Sequence, residues 1–217
     1  MDSSPSQLSA LQQRFLAEFA RRAPGFFLTG GAVLAGWVLC HRRTDDLDLF
    51  TVDDDAMAQG DTQLRSAAAA VGAEVEALQT SADFRRYLLR TPNASVVVDL
   101  VRERVAQLHP KLDRDGLRLD PVEEIVANKI CALVGRAEPR DLVDVMMLEE
   151  RGYRVENFLP DAAAKDAGVT AAALAWALST FPLRGPLPEG FSRERIDRYR
   201  GELEHRMRQR AGHDAGA

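Results

Sequence analysis

The sequence predicts a mixed α/β fold of the α+β kind, with a sheet of about five strands interleaved with helices and a C-terminal helical region after it. Three observations carry this. Alternating and β-branched segments crowd the first hundred residues, helix-period segments with acidic starts fill the last hundred, and a polar stretch, LHPKLDRDG at 108–116, separates them. The 217 residues are 46% hydrophobic, enough to bury a core rather than remain disordered. The expected division is a core over 1–108, a helical region over 118–210 that completes a cleft with it, and a disordered tail over 211–217.

Ser6 or Ser9 can cap a first helix that runs to about Arg22, because Leu8, Leu11, Phe15, Leu16 and Phe19 recur on one face and Pro24-Gly25 ends it. Residues 26–29 form a buried strand and Gly30-Gly31 a turn. Residues 32–40 follow as a helix with Val33, Leu34, Trp37 and Val38 inward. Residues 46–52 alternate as a strand, with Leu47, Leu49 and Thr51 to one side and Asp46, Asp48 and Phe50 to the other. A helix over 63–71 comes next, then strands over 74–80, 83–91 and 94–101, the last two joined by the turn Thr91-Pro92-Asn93. Pro121 opens a helix that begins acidic and ends basic near Arg136, and further helices are expected over 141–151, 161–166, 170–179 and 192–210.

Net charge is −5, from 28 Lys and Arg against 33 Asp and Glu, so no global basic field marks a nucleic-acid binder and a polyanion must be met by a local patch. Arg85, Arg86 and Arg90 on one strand, or Arg195, Arg198, Arg206 and Arg208 on the last helix, could form that patch or be a solvated face. Cys40 and Cys131 fall in predicted helices among apolar residues, as reduced core thiols do. The start MDSSPSQLSALQQ has neither a cationic nor an apolar signal region, and no apolar run reaches the roughly 18 residues a bilayer span needs. A cytoplasmic protein with no membrane partner is expected.

The chemistry concentrates in FLTGGAVLAGWVLCHRRTDDLDLF. Side chains two apart on a strand share a face, so Asp46 and Asp48 can aim at one point. Two carboxylates on a half-buried face repel, and a hard divalent cation, Mg²⁺ or Mn²⁺, resolves the conflict while sharing substrate phosphates. A pair of such metals calls for a third carboxylate on an adjoining strand, and Asp99 in SVVVDLV is the charged residue of an otherwise apolar run. Gly30-Gly31, at a strand-to-helix junction, lets a phosphate approach backbone N–H groups. Arg42 and Arg43 can pair with the aspartates or steer a triphosphate, and Asp45 points away from the pair.

The order GG, helix, HR-x-[ST]-x-D-L-D-L-F and a later strand carboxylate resembles the nucleotidyltransferase superfamily, and the fuller string resembles its AbiEii/AbiGii toxin branch in type IV toxin–antitoxin and abortive-infection systems. Downstream, NKICALVGRAEPRDLVDVMML resembles the helical signature of that branch. The resemblance implies phosphate-loop roles for Gly30 and Gly31, metal binding by Asp46, Asp48 and Asp99, and a place for Thr44 beside the metal. It implies that Asp99 also takes the proton of the attacking hydroxyl. It further implies phosphate contact by Lys129 and site roles for the acidic pair Asp141 and Asp144. Read without the family, Lys129 is a solvated helix charge, and Arg140 and Asp141 are a pair at a helix start. Gly31 stands where many superfamily members have serine, and Val143 and Val145 replace the usual aromatic and leucine.

The implied function is metal-dependent transfer of a nucleotidyl group from an NTP to a hydroxyl acceptor, either an RNA 3′ end such as that of tRNA or a hydroxyl of another protein, by a toxin with a cognate antitoxin. Two rivals share the GG and DxD logic: an antibiotic-type small-molecule nucleotidyltransferase, and a silent nucleotide-binding module. The oligomeric state is not readable from the sequence.

Overall fold

In the computed structural model, which describes residues 6–214, helix α1 (Ala10–Arg22) starts at a capping box. The Ser9 hydroxyl accepts from the Gln12 backbone N–H at 3.2 Å, and the Gln12 side-chain oxygen accepts from the Ser9 N–H at 2.7 Å. The predicted apolar face is buried, with Phe15 and Phe19 stacked at 5.6 Å between centroids and Phe19 edge-on to Phe26 at 5.4 Å. Each such buried side chain contributes about 1.5–3 kcal/mol. The chain divides into two compact units, Met1–Pro121 and Val122–Ala217.

The first unit is built on a mixed sheet of strands β1 (Phe27–Thr29), β2 (Asp46–Thr51), β3 (Glu74–Thr80), β4 (Phe84–Thr91), β5 (Ala94–Arg102), β6 (Leu112–Arg114) and β7 (Leu117–Leu119). Their order is β3-β4-β5-β2-β1-β7-β6, with β2 parallel to β5 and β1 parallel to β7. Period-2 alternation decides the faces. Leu28, Leu47, Leu49, Tyr87, Val98 and Leu100 are in register on one face and fully buried. Helices α1 and α3 (Asp54–Ala70) pack on each other and on β5. Gly60 of α3 lies so close that a methyl group there would stand 3.0 Å from Leu100 Cδ1. The Tyr87 hydroxyl donates to Asp61 of α3 at 2.9 Å, and burial pushes its pKa up to about 12.

The sheet has seven strands where about five were expected. The stretch expected to be a polar connection instead folds as a hairpin, β6 to β7, over Asp115-Gly116, both at positive φ (55° and 83°). That is the Asp-Gly geometry of a tight two-residue turn, and Leu119 then pairs with Leu28. Helix α3 begins nine residues before the predicted start, because Asp53 caps it by accepting from the N–H groups of Asp55 and Ala56. The helix expected over 32–40 is also different. Helix α2 (Gly30–Val33) runs into a π-helical turn (Leu34–Val38) closed by Leu39 N–H to Leu34 O at 2.9 Å, and Cys40 follows at φ 49°. The wider turn shifts the helical phase, so Trp37 faces outward, 41% exposed, rather than inward.

The second unit is helical: α4 (Val122–Gly135), α5 (Pro139–Glu150), α6 (Val155–Lys165), α7 (Ala171–Ser179) and α8 (Arg193–Asp214). Helix α4 packs against α5, α6 and α7. Helix α6 starts ahead of Pro160 rather than after it. Burying Val155, Leu159 and Ala162, together with a buried ion pair from Lys165 to Glu124 of α4 at 2.5 Å, outweighs the hydrogen bond that proline removes. Helix α8 continues to Asp214, so 211–214, expected to be a disordered tail, are helical. Residues 215–217 lie outside the described residues.

Candidate active site

Sheet register assembles the polar centre of the first unit. Asp46 and Asp48 sit on the half-exposed face of β2, each flanked by a fully buried leucine. Asp48 is in register with Asp99 on β5, Asp99 with Arg86 on β4, and Asp48 with Thr29 on β1. In-register residues project to the same face, so these four form a row running across four strands. The Thr29 hydroxyl extends it by donating to Asp120, just past β7, and Asp120 in turn pairs with buried Lys111 at 2.5 Å.

The Asp99 carboxylate is 5% exposed and both its oxygens accept from the Arg86 fork, from Nε at 2.8 Å and Nη2 at 2.7 Å. Such a bidentate pair fixes both partners. Among the described residues no three His, Cys, Asp or Glu side chains converge as a metal-ligating set. Asp99 therefore meets Asp48 in the sheet, as expected, but is engaged by a guanidinium.

Asp46 is oriented by the Thr44 hydroxyl, which donates to Oδ1 at 2.7 Å. Thr44 is itself buried, and its carbonyl accepts from the Gln12 side chain at 2.8 Å. One glutamine thus caps α1 and anchors the aspartate loop. Gln12→Ala is expected to cost about 1–3 kcal/mol, because a buried carbonyl loses its donor; urea titration of the two proteins measures it.

Gly30 begins α2 at φ +65°, the left-handed region glycine favours, and an added Cβ would stand 2.8 Å from Asp48 Oδ2. Gly31 is less constrained, for its φ is ordinary and an added Cβ would meet the movable end of Arg42, Nη2 at 2.9 Å, and Thr44 Oγ1 at 3.4 Å. Gly30→Ala is expected to destabilise the protein by about 1–3 kcal/mol and to displace the Asp48 carboxylate; thermal unfolding checks the first and a crystal structure the second. Arg43 and Asp45 are exposed, as expected of Asp45. Both line a cleft of about 430 Å³ together with Ser9, Gln12, Thr44 and Ser95.

The second unit holds the other predicted residues. Lys129 of α4 is buried, with Nζ 2.7 Å from both Asp141 Oδ1 and Asp144 Oδ2 of α5, and the two aspartates are fully buried. Arg136 closes the cluster with two bonds to Asp141, at 2.8 and 3.0 Å. Lys129 is therefore not the solvated helix charge that propensity alone favours, and Arg140 donates to Glu138 at 2.7 Å. Burial opposes the charge on Lys129, but Asp144 and Asp141 outweigh it and hold the ammonium pKa above its ordinary value. For Asp141, burial pushes the pKa up while Lys129 and Arg136 pull it below the carboxylate range, and the cations win. A cleft of about 600 Å³ in this unit is lined by Glu149 and Tyr199 and by Arg195, Arg198 and Arg206 of the expected α8 patch, and by none of the expected metal or nucleotide residues.

Sequence reasoning passed over Gln12, Thr29, Lys111 and Asp120 as site residues, and named Arg86 only as one arginine of a possible polyanion patch. Only Gln12 carried a local signal, the S-x-x-Q capping box. The others reach the row through strand pairing.

The chain was compared with known proteins. No curated protein sequence matches it. Three solved structures share its fold. One, from Helicobacter pylori and solved as a candidate nucleotidyltransferase, has a TM-score of 0.61 at 15% identity and covers 92% of each chain. JHP933 from H. pylori has a TM-score of 0.59 at 18% identity, over 95% of this chain and 92% of its own. MenT4, a nucleotidyltransferase toxin from Mycobacterium tuberculosis, has a TM-score of 0.59 at 15% identity, over 90% and 81%. The family model of the nucleotidyl transferase AbiEii toxin of type IV toxin–antitoxin systems matches residues 14–211, which include every site residue named from the sequence. With nine-tenths of its length matched and the GG and DxD elements in their expected order, the chain belongs to the AbiEii nucleotidyltransferase toxin family.

Proposed function

We propose that the chain moves a nucleotidyl group from an NTP to the 3′ end of a tRNA, using Mg²⁺ or Mn²⁺ held by Asp46 and Asp48. The observation that carries this is the carboxylate pair on one face of β2, with Asp48 seated against the left-handed Gly30 turn. Two hard oxygen donors fit a small divalent cation, which takes one or two carboxylates and completes its shell with substrate phosphates and water. When bound, the ion supplies charge neutralisation to the triphosphate.

Thr44 keeps the Asp46 carboxylate turned to its task, and the two glycines keep side chains off the approach of the phosphates. Exposed Arg43 steers the polyanion. The acceptor oxygen bonds to the α-phosphorus as the bond from phosphorus to the bridging oxygen breaks. That electron pair leaves with pyrophosphate, and the hydroxyl proton passes to a carboxylate oxygen of the Asp46–Asp48 pair. Lys129, Asp141 and Asp144 lock α4 to α5, which keeps the helical signature of the family in one shape.

Family membership supports toxin action under a cognate antitoxin. The acceptor is met by a local patch. On α8, Arg195, Arg206 and Arg208 are tied to Glu150, Glu149 and Glu204, and on β4 Arg86 and Arg90 are tied to Asp99 and Glu76, so ion pairing favours neither patch; Arg86 is the one that stands in the row with the aspartates. The test is incubation of the protein with each labelled NTP, Mg²⁺ and total tRNA. Labelled tRNA from the wild type and none from Asp48→Ala supports the reading; no labelled RNA with any of the four NTPs overturns it.

A further inference from the structure

The row across the sheet carries a cation of its own. Arg86 is 44% exposed while its fork is pinned to buried Asp99, so one edge of the guanidinium is fixed and the rest faces solvent. It stands one strand from Asp99, which is one strand from Asp48. Its electrostatic neighbours agree with that placement. The Asp99 hydrogen bond, against the effect of burial, and then the charges of Asp99, Asp46 and Asp48 hold the guanidinium pKa above its ordinary value. The Arg86 plane also lies over the Phe84 ring at 5.4 Å, a second restraint on its orientation.

We propose that Arg86 supplies the second positive charge of the transfer centre and binds the triphosphate directly, with Asp99 as its anchor and not a metal ligand. The inference rests on the assignment of Asp46 and Asp48 to the metal and triphosphate. A centre with one metal on two carboxylates and one anchored guanidinium places two cations opposite the phosphates. Planar guanidinium groups suit phosphate oxygens because their N–H groups match two acceptors at once, and a group already fixed by another residue loses little freedom on binding. A buried carboxylate with both oxygens on a guanidinium gains nothing from a metal unless that ion pair first breaks.

The geometry has consequences for metal affinity that are separate from turnover. Mn²⁺ binding to the protein without nucleotide, followed by paramagnetic resonance, is expected to weaken by less than about fivefold in Asp99→Asn, which loses a neighbouring negative charge but no ligand, and by more than about tenfold in Asp48→Asn, which loses a direct ligand. Arg86→Met removes a positive charge beside the pair and is expected to tighten Mn²⁺ binding. The same change is expected to weaken NTP binding in the presence of Mn²⁺ by about ten- to a hundredfold, the loss of a charged hydrogen bond. Because Arg86→Met leaves Asp99 buried without its partner, the charge-balanced pair Arg86→Met/Asp99→Asn serves as the second variant and is expected to show the same loss of NTP affinity. Mn²⁺ binding that falls as far in Asp99→Asn as in Asp48→Asn overturns this inference alone, as does unchanged NTP affinity in the double variant. A wild-type protein that binds no Mn²⁺ overturns the assignment of Asp46 and Asp48, and this inference with it.

Discussion

Lys129→Met is expected to destabilise the helical unit by about 3–5 kcal/mol, the usual cost of removing one partner from a buried ion pair. Methionine fills the space but leaves Asp141 and Asp144, both fully buried, facing each other without the ammonium between them. Arg136 still pairs with Asp141 and offsets part of the penalty there. A urea titration followed by the fluorescence of Trp176, on α7 of the same unit, reads the change in a Trp37→Phe background. Adding Asp144→Leu to Lys129→Met is expected to recover much of the loss, because the buried charge leaves together with its partner. If Lys129→Met unfolds at the same urea concentration as the parent, the cluster contributes nothing to the fold.

The same cluster sets a pH window. Asp141 has a folded pKa below its unfolded value near 3.8, so its contribution is present above that pH and is lost as pH falls through the lower folded value. Lys129 has a folded pKa above 10.5, so its contribution is fully present below that pH and is lost as pH rises through the higher folded value. Stability of the helical unit is thus expected to be flat between about pH 5 and 9 as far as these groups are concerned, and to decline at both extremes. Lys129→Met should remove the share of the alkaline limb that Lys129 contributes, while Tyr199 of the same unit, whose phenol burial and Glu149 hold above its ordinary pKa, keeps its own.

Asp48→Ala is expected to reduce nucleotidyl transfer by at least about a thousandfold, beyond the 10–100-fold typical of residues one step removed from a metal. Its effect on folding is expected to be small, within about 1 kcal/mol, because the side chain is half-exposed and the buried leucines on either side remain. Asp45→Ala is the matched control. Asp45 is exposed and takes part in the sheet through its backbone carbonyl, which accepts from Val97 N–H at 3.2 Å and survives the substitution. Initial rates of label incorporation into tRNA should separate the two. Equal rates in Asp48→Ala and Asp45→Ala would remove the carboxylate pair from the chemistry.

What the sequence disclosed follows from the range of the forces involved. Alternation of leucine with aspartate over 46–50 fixes which face of a strand is buried, and that is a local property, so the Asp46–Asp48 pair was visible at once. The Thr91-Pro92-Asn93 turn was equally local, and β4 and β5 do pair as a hairpin across it. Helix α6 was cut short in the reading because proline acts locally while Leu159 and Ala162 act through packing. The β6–β7 hairpin was missed although Asp115-Gly116 announces it, because three-residue strands carry too little alternation to stand out. Arg86 was legible only as a patch arginine, and its place beside Asp99 was out of reach for another reason. Its role depends on Asp99 lying opposite it in an antiparallel register and on Asp48 lying opposite Asp99 in a parallel one, and neither register is written in any single segment.

Those registers also set the order of assembly. In the order of synthesis β2 is made fifty positions before its parallel partner β5, and β1 waits longer still for Leu119. Parallel pairings of this span are slow to close, because the loop must be ordered before the contacts form. During synthesis at about 5–20 residues per second, the Gly30 and DxD segments emerge several seconds before the strands that complete their sheet. The row of Thr29, Asp48, Asp99 and Arg86 therefore cannot exist in the nascent chain until β5 has been made.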